Sequence, residues 1–321
     1  MSGESARPRV AILTDETGWH TRKLREALAR RGFEGRCADL ADCRFDSGAP
    51  NGLVIPGFSR RLPVAVIVRG IAGGTLEQIT KRLGILHALR EMGVPVYNDA
   101  RAIERSVDKA MTSFLLARAG VATPQAWAVE SEVEARRILM REASAGRSLV
   151  LKPMFGSQGK GIVRVGLVDG EVVPLPDLKA YGQLAYLQRF VPQPQQGGFD
   201  WRVLVVGGRA VAAMQRVSDH WIRNIARGAR SVAAPLTPGL AALAEAASDA
   251  LGMDYAGVDL LPDAAAPGGA VVMEVNGVAA WRGLQRVTPV DIAAAIVDDL
   301  LTRRLGLPRQ GGTPIAGSAL P

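Results

Sequence analysis

Short apolar runs typical of buried strands alternate with segments typical of helices along the first third of the chain. Apolar, β-prone runs predict the strands, and apolar residues at helical spacing predict the helices. Because strands that alternate with helices build a parallel sheet covered by helices, this pattern predicts an α/β layer over residues 9–98. The predicted strands are 9–15, 65–71 and 94–97, the predicted helices are 21–31 and 75–92, and a Gly-, Pro- and Ser-containing loop is predicted at 46–63.

The rest of the chain has a different order, in which strands are more numerous than helices. A hairpin is predicted at Asp169-Gly170 and a longer one at Gly207-Gly208. This order predicts an α+β architecture in two further units, residues 99–187 and 188–305, between a flexible N-terminus at 1–8 and a disordered tail at 306–321. The predicted helices are 100–120, 131–144, 240–251 and 290–305, and the predicted strands are 124–129, 148–154, 161–168, 184–191, 201–206, 209–217, 256–261 and 270–276, with a loop at 218–238.

Composition places the chain among ordinary globular proteins. Of its 321 residues 48% are hydrophobic and 22% are charged, so it can bury a sizeable core and is neither disordered nor a coiled coil. Cys37 and Cys43 give neither a disulfide framework nor a zinc-binding spacing, and no apolar run is long enough for a signal peptide or a membrane span. We therefore expect a cytoplasmic protein. The net charge of +8 comes from scattered arginines, which argues against nucleic acid and favours an anionic small molecule.

A strand that ends in a lysine opens into a glycine-rich loop within residues 149–161. The backbone N–H groups of such a loop can approach a polyphosphate closely. The alternative is a plain hairpin turn, but Lys152 inside an apolar strand needs an anion or an acid to offset its desolvation. The spacing fits neither the P-loop nor the dinucleotide fingerprint. The segment therefore predicts a phosphate site at Lys152, Gly156, Ser157, Gly159, Lys160 and Gly161.

Acidic residues interrupt two apolar strands near the end of the chain. Glu274 and Asn276 are two residues apart and so lie on one face of their strand, and Asp259 can lie beside them if the two strands pair. Two carboxylates and an amide oxygen are hard ligands suited to magnesium. The alternative is that Asp259 and Glu274 are solvent-facing edge residues, but their apolar neighbours favour burial. The pattern predicts a magnesium site.

A group of arginines lies between these two segments. Arginine matches phosphate and carboxylate groups with two parallel hydrogen bonds, so the group could bind a phosphoryl group or an acidic substrate. Each of them alone is also typical of an exposed surface residue. The set comprises Arg202, Arg216, Arg223 and Arg227, with Asn224 among them.

Taken in order, these segments resemble the ATP-grasp enzymes, and in particular the RimK-type glutamate ligases. The similarity extends from about residue 10 to residue 305. It implies an ATP-grasp fold of three subdomains, with ATP held between the central unit (99–187) and the C-terminal unit (188–305). The matching segments are 105–109, 150–152 with its glycine loop, 188–191, 200–202, 224–228, 257–259 and 273–276.

The resemblance also implies roles for individual residues. Lys109 and Lys152 would contact the ATP phosphates, and Asp200 would meet the ribose. The backbone at Arg189 and Phe190 would meet the adenine. The implied metal ligands, for Mg²⁺ or Mn²⁺, are Asp259, Glu274 and Asn276; the implied catalytic groups are Arg202, Arg223 and Asn224; and the implied substrate contacts are Arg69, Arg216 and Arg227.

The activity implied is an ATP-dependent ligation that adds L-glutamate to an acidic acceptor, either a coenzyme or a protein C-terminus. ATP phosphorylates a carboxylate, and an amine then attacks the acyl phosphate. The chain is similar to the subgroup that acts on pterin or furan coenzymes of one-carbon metabolism, and we expect a homo-oligomer. Two alternatives remain, a small-molecule kinase on the same fold and a nucleotide- or nucleic-acid-binding protein without turnover.

The chain departs from the RimK-type pattern at two places. Those enzymes usually have a glutamate where Arg189 stands, a change that adenine contact through the backbone tolerates. After Asn276 they commonly have a small polar residue followed by Pro-Gly, whereas this chain has Gly-Val-Ala-Ala-Trp-Arg-Gly at 277–283. That loop borders the substrate region in the family, so the second departure concerns the identity of the substrate.

Overall fold

The computed structural model describes residues 7–58, 61–156, 159–194, 197–222 and 228–308. The chain divides into two compact units, one from Met1–Tyr97 and Asp291–Pro321 and the other from Asn98–Val290. No helix among the described residues is both long enough and apolar enough to span a bilayer.

A four-stranded parallel sheet forms the centre of the first unit, as the alternating pattern predicts. The strand Arg9–Leu13 lies in the interior of the sheet and is almost fully buried, because helices cover a doubly wound sheet on its faces. The strands, in spatial order, are Glu34–Ala38, Arg9–Leu13, Ala65–Val68 and Val96–Tyr97, and the helices are Trp19–Arg30, Leu76–Glu91 and Ile292–Asp299, the last continuing as a π-helical turn at Leu300–Arg304.

Three details of this unit differ from the prediction. The strand Glu34–Ala38 pairs with Arg9–Leu13 but is not among the predicted strands, because its sequence Glu-Gly-Arg-Cys-Ala has no apolar run. The predicted loop at 46–63 contains the strand Leu53–Val54, which pairs with Arg44–Phe45 in a two-stranded ladder too short to leave a periodic signal. The helix predicted at 290–305 belongs to the first unit, not to the C-terminal one, because it packs against Trp19–Arg30. The hydroxyl of Tyr97 donates to Asp299 at 2.6 Å and so joins the last helix to the strand Val96–Tyr97, a contact between distant positions that local pattern does not reveal.

The second unit begins with two consecutive helices where the sequence predicts one over 100–120. Asp108 ends Ala100–Val107 and caps Lys109–Arg118, because its carboxylate accepts a hydrogen bond from the backbone N–H of Met111 at 2.9 Å. The break places Lys109 at the first position of its helix.

A five-stranded antiparallel sheet follows, packed against the helix Glu132–Ser144. The side chain of Ser131 caps that helix, as its sequence predicts. The strand Ala185–Arg189 lies inside this sheet, between Ser148–Lys152 and Ala126–Val129. The predicted boundary between residues 187 and 188 cuts through this strand, because its pairing partners are not visible in local pattern. The spatial order is Glu171–Val173, Val163–Val168, Ser148–Lys152, Ala185–Arg189 and Ala126–Val129, with a 3₁₀ turn at Leu178–Tyr181.

A second five-stranded antiparallel sheet packs against the helix Pro238–Leu251, whose Ala244, Ala247 and Leu251 are fully buried. The predicted loop at 218–238 contains the edge strand Arg230–Ala233, which is mostly polar or exposed and therefore lacks an apolar alternation. The spatial order is Arg230–Ala233, Arg209–Val217, Phe199–Val206, Tyr255–Pro262 and Ala270–Asn276, with short helices at Pro267–Gly269 and Arg282–Gln285.

Candidate active site

A cavity of about 560 Å³ in the second unit is lined by residues of both five-stranded sheets. It brings together most of the residues that the sequence singles out. Gly161 does not line it, Arg69 belongs to the other unit, and Ser157, Arg223, Asn224 and Arg227 lie outside the described residues. The predicted residues on its wall are Lys109, Lys152, Gly156, Gly159, Lys160, Arg189, Phe190, Asp200, Arg202, Arg216, Asp259, Glu274 and Asn276.

Two lysine side chains line the cavity. Lys109 is on the helix Lys109–Arg118, and Lys152 is on the strand Ser148–Lys152 of the sheet that packs against Glu132–Ser144. Lys152 Nζ donates to Gln188 Oε1 at 2.6 Å, and burial lowers the pKa of Lys152 to about 8 despite the opposing Glu274 carboxylate. Lys109 Nζ donates to the carbonyl oxygens of Met154 and Gly156, both at 3.2 Å, and burial lowers its pKa as well. Because burial disfavours both charges, an anion bound in the cavity would restore them.

Gly161, at the end of the glycine loop, has a conformation and surroundings that favour glycine. At Gly161 φ is +69°, and a Cβ there would lie 2.9 Å from Pro153 Cγ. A side chain at this position would therefore be strained in conformation and crowded by a ring that cannot move away. Gly161 acts on the cavity through the path of the loop and not by direct contact, whereas Gly156 and Gly159 lie on the wall itself.

The side chain of Arg189 is engaged by a buried acid. Its Nε donates to Glu142 Oε2 at 2.8 Å, and Arg147 Nε donates to the same oxygen at 2.7 Å. The Glu142 side chain is only 1% exposed; burial alone would raise its pKa, but these two arginines lower it to about 2. Arg189 is thus tied to the helix Glu132–Ser144.

An aromatic column stands next to Arg189. The Arg164 guanidinium lies 4.1 Å from the centroid of the Phe190 ring, and Phe190 meets Trp221 edge to face at 5.9 Å between centroids. Trp221 is in turn stacked near His220 at 6.0 Å. Phe190 and Trp221 both line the cavity and give it an apolar wall.

Four alternating charges occupy the second sheet at the cavity. Arg202 binds Asp259 through two hydrogen bonds of 2.6 Å, and Arg216 binds Asp200 through bonds of 2.6 and 2.8 Å. Arg216 Nη2 also lies 2.9 Å from Asp259 Oδ2, so it joins the two pairs. We call Asp200, Arg202, Arg216 and Asp259 the charged quartet.

The pKa values of the two acids of the charged quartet shift in opposite directions, although burial acts to raise both. It raises the pKa of Asp200 to about 6, even though Arg216 acts in the opposite direction. Burial also acts to raise the pKa of Asp259, but Arg202 and Arg216 together outweigh it and lower that pKa. Arg216 is 4% exposed and serves as a buried counter-ion for two carboxylates, and it also lies on the cavity wall, where the resemblance implies a substrate contact.

The predicted metal ligands lie on neighbouring strands in matching register. Asp259 stands directly opposite Glu274, and Asn276 stands opposite Gly257. Asn276 Nδ2 donates to the Gly257 carbonyl at 3.2 Å, which turns its amide oxygen toward other partners. Among the described residues no cluster of three or more His, Cys, Asp or Glu side chains is suited to a metal, and the predicted set contains only two carboxylates with an amide. Hard oxygen donors of this kind fit magnesium, which keeps several waters and substrate phosphates as its other ligands.

Sequence reasoning did not single out three features of the cavity. The Tyr186 hydroxyl lies 2.7 Å from Ser113 Oγ, and burial raises the pKa of Tyr186 to about 12. Gln188, the partner of Lys152, is buried. Arg282, in the loop that departs from the family pattern, also lies on the wall. Gln188 could have been singled out, because it is a polar residue within the mostly apolar run 184–191. Arg282 could not, because nothing in the local sequence distinguishes it from other exposed arginines.

One antiparallel sheet carries Lys152 and the glycine loop, and the other carries the carboxylates of Asp259 and Glu274. This arrangement around one cavity is that of an ATP-grasp enzyme. Family models agree, because residues 106–300 match the RimK-like ATP-grasp domain and residues 9–103 match the RimK PreATP-grasp domain. The chain belongs to the RimK-like ATP-grasp family, and it is an ATP-dependent ligase that forms carbon–nitrogen bonds. The predicted fold and family are thereby confirmed.

Several named relatives are similar over nearly their whole length. The chain is 36% identical to the tetrahydromethanopterin:alpha-L-glutamate ligase of Methanococcus maripaludis, covering 91% of this chain and 98% of the relative. It is 32% identical to a probable alpha-L-glutamate ligase of Cellvibrio japonicus, covering 90% and 94%. Among solved structures, a RimK domain protein from Sphaerobacter thermophilus has a TM-score of 0.64 at 26% identity, covering 91% of this chain and 99% of that one. The ATP-grasp ligase PsnB, solved with a minimal precursor, Mg and ADP, has a TM-score of 0.69 at 22% identity, covering 92% and 97%, and shows a shared fold.

Proposed function

We propose that the protein is an alpha-L-glutamate ligase that joins L-glutamate to a carboxylate of a tetrahydromethanopterin-type coenzyme. One observation carries the proposal. A single cavity holds two partly buried lysines, Lys109 and Lys152, together with the hard oxygen donors of Asp259 and Glu274. Cations for a polyphosphate and ligands for a divalent metal are what the transfer of a phosphoryl group from ATP to a carboxylate requires.

The lysines supply the phosphate side of the site. Lys152 is fixed by Gln188, and Lys109 is fixed by the carbonyl oxygens of the glycine loop, so both ammonium groups are held in place before ATP binds. Lys160 is exposed on the cavity wall, where it can reach the outer phosphates. Preorganised cations of this kind stabilise the charge that develops on the transferring phosphoryl group.

Asp259, Glu274 and Asn276 would hold a divalent cation, Mg²⁺ or Mn²⁺. When bound, the metal neutralises phosphate charge and so favours attack on the terminal phosphorus. Arg202 and Arg216 orient the Asp259 carboxylate, because together they donate to both of its oxygens. A carboxylate accepts hydrogen bonds at about four lone-pair sites, so after the arginine contacts Asp259 still has a site with which to bind a metal ion.

The chemistry needs no covalent bond to the protein. An oxygen of the acceptor carboxylate attacks the γ-phosphorus, the bond to ADP breaks, and an acyl phosphate forms. The glutamate amine then attacks the acyl carbon, loses a proton, and expels phosphate to leave an amide. The cavity positions these groups and excludes water, which would otherwise hydrolyse the acyl phosphate. The apolar wall at Phe190 and Trp221 contributes to that exclusion.

The choice of acceptor rests on the relatives. The tetrahydromethanopterin:alpha-L-glutamate ligases of Methanococcus maripaludis and Methanosarcina acetivorans are 36% and 32% identical to the chain and are matched over 98% and 97% of their length. This similarity favours the coenzyme over a protein C-terminus as the acceptor.

The test incubates the purified protein with ATP, Mg²⁺ and L-glutamate plus tetrahydromethanopterin or a small-molecule extract of the source cells. Mass spectrometry should find the coenzyme with added glutamyl units, and ADP should form only when both substrates are present. Parallel reactions with Mn²⁺ and with a peptide carrying a free C-terminus test the metal and the alternative acceptor. Glutamylation of the peptide alone would overturn the coenzyme assignment.

A further inference from the structure

Arg282 is an exposed arginine on the cavity wall. The other arginines on that wall are committed to carboxylates, because Arg202 binds Asp259, Arg216 binds Asp200, and Arg189 binds Glu142. Within the part of the chain that the structure describes, no hydrogen bond or ion pair engages Arg282. Its guanidinium is thus the one on this wall, among the described residues, that is available to an incoming anion.

The segment before Arg282 is anchored rigidly. Trp281 is 1% exposed and packs edge to face against Tyr255 at 6.4 Å between ring centroids. At the other end of the loop, Asn98 Nδ2 donates to the Gly277 carbonyl at 2.7 Å, while its Oδ1 accepts from the backbone of Asp254 and Tyr255. A buried anchor on the preceding residue fixes the backbone from which the Arg282 side chain reaches the cavity.

Arg282 also lies on a different element from the phosphate-binding lysines. Its short helix Arg282–Gln285 sits against the second sheet, where Gly283 approaches so closely that a Cβ would lie 2.9 Å from Ser231 Oγ. Lys109 comes from the helix Lys109–Arg118, Lys152 from the strand Ser148–Lys152, and Lys160 from the glycine loop that follows that strand. The free guanidinium therefore belongs to the part of the wall that the proposed phosphate contacts do not use.

We propose that Arg282 binds a carboxylate of one of the two ligation substrates and sets the enzyme's preference for an acid at that position. This inference rests on the proposed function, because it assigns a residue to the same site. A guanidinium presents a planar pair of donors that matches a carboxylate. L-Glutamate reacts through its amine and so keeps two carboxylates, and the acceptor enters the site with the carboxylate that reacts. The carboxylate belongs either to L-glutamate or to the acceptor, and the test separates the two sources.

The first arm measures steady-state kinetics of Arg282→Ala and Arg282→Lys, with L-glutamate, acceptor and ATP varied one at a time. We expect the KM of one carboxylate substrate to rise about tenfold to a hundredfold in R282A, with the KM of ATP unchanged. R282K should recover only part of this loss, since an ammonium keeps the charge without the two-pronged geometry. The substrate whose KM moves identifies the source of the carboxylate. A KM that moves only for ATP, or for no substrate, would overturn the inference.

Arg286 provides the matched control. It is exposed, caps the same short helix, and does not line the cavity. Arg286→Ala removes an equal charge from the same surface and should leave every KM unchanged. If R286A and R282A behave alike, the effect is a general loss of positive charge and the assignment of Arg282 fails. Because Arg282 is exposed, both variants should keep the melting temperature of the wild type.

The second arm measures equilibrium binding and does not depend on turnover. L-Glutamate, its two monoamides and the acceptor are titrated into wild type and R282A in the presence of Mg²⁺ and a non-hydrolysable ATP analogue. Wild type should prefer the ligand that keeps the contacted carboxylate, and R282A should lose that preference. If the preference is equal in the two proteins, the inference falls while the ligase assignment stands. If wild type forms no glutamylated product, the proposed function falls, and the binding preference still decides the role of Arg282.

Discussion

The guanidinium of Arg216 lies 2.9 Å from Asp259 while it donates two hydrogen bonds to Asp200. One buried cation therefore forms ion pairs with two buried acids, which lie on adjacent strands. Asp259 is the acid proposed to hold the metal, so the position of that ligand depends on its ion pair with Arg216. The charged quartet couples the stability of the second sheet to the geometry of the site.

Arg216→Ala is expected to destabilise the protein by about 3–5 kcal/mol, because it leaves two buried carboxylates without their shared counter-ion. Urea denaturation followed by circular dichroism measures the loss. Arg209→Ala is the control, since Arg209 is an exposed residue at the start of the same strand and its removal should cost less than about 0.5 kcal/mol. Equal midpoints for the two variants would show that the charged quartet contributes little to stability.

The affinity for ATP should fall as the pH rises through about 8. A lysine carries its charge below its pKa, and burial lowers the pKa of Lys152 to about 8 in the free protein. Above that pH the site must take up a proton in order to bind the phosphates, and this uptake weakens binding by up to about tenfold for each pH unit. Calorimetric titration with an ATP analogue between pH 7 and pH 10 measures the slope.

Two substitutions of Lys152 provide the control for that slope. Lys152→Arg keeps a charge that does not titrate in this range, so its affinity should stay nearly constant with pH, whatever its absolute value. Lys152→Met should bind the analogue about tenfold to a hundredfold more weakly at pH 7. A wild-type slope that persists unchanged in K152R would assign the titration to another group.

Glu142→Gln is expected to lower stability at neutral pH and to have a smaller effect in acid. The arginines at 147 and 189 lower the pKa of Glu142 from 4.5 to about 2, so the folded state favours the carboxylate. This contribution, about 2–3 kcal/mol, is complete above pH 4.5 and disappears as the pH falls toward 2. The difference in unfolding free energy between wild type and E142Q should shrink over that window.

Glu134→Gln on the same helix is the comparison. Its ion pair with Arg137 spans 3.5 Å, and the two side chains are 47% and 75% exposed. Such a pair contributes less than about 1 kcal/mol, so E134Q should match wild type at every pH. If E142Q tracks E134Q instead, the buried acid is not a stabilising partner of Arg189.

The sequence was sufficient to predict the residues whose chemistry conflicts with their surroundings. Lys152 and Glu274 each interrupt an apolar strand, and a buried charge without a partner is expensive, so their placement on a binding cavity could be inferred before any contact was known. The α/β layer and most of the later strands followed from periodicity in the same way.

Relationships between distant segments could not be predicted. Arg202 and Asp259 are opposite each other only because two strands pair in a particular register. The sequence between the two residues does not indicate that register. The last helix joins the first unit through packing on Trp19–Arg30, which no local pattern reveals. The same holds for Arg282, whose position depends on the burial of the neighbouring Trp281.

Glu274→Gln and Asp259→Asn should separate a metal ligand from a structural ion pair. E274Q should abolish turnover and weaken Mg²⁺-dependent nucleotide binding at least about tenfold, because it removes a proposed metal ligand. The protein should stay folded, since Glu274 is only partly buried and forms no ion pair with the arginines of the charged quartet. D259N should show the same loss of binding and should also unfold earlier, because it removes the partner of Arg202 and Arg216. Nucleotide titrations with Mg²⁺ and with EDTA, together with melting curves, measure both effects. Full activity in E274Q would remove Glu274 from the proposed metal site, and a D259N protein as stable as wild type would show that the charged quartet does not depend on that carboxylate.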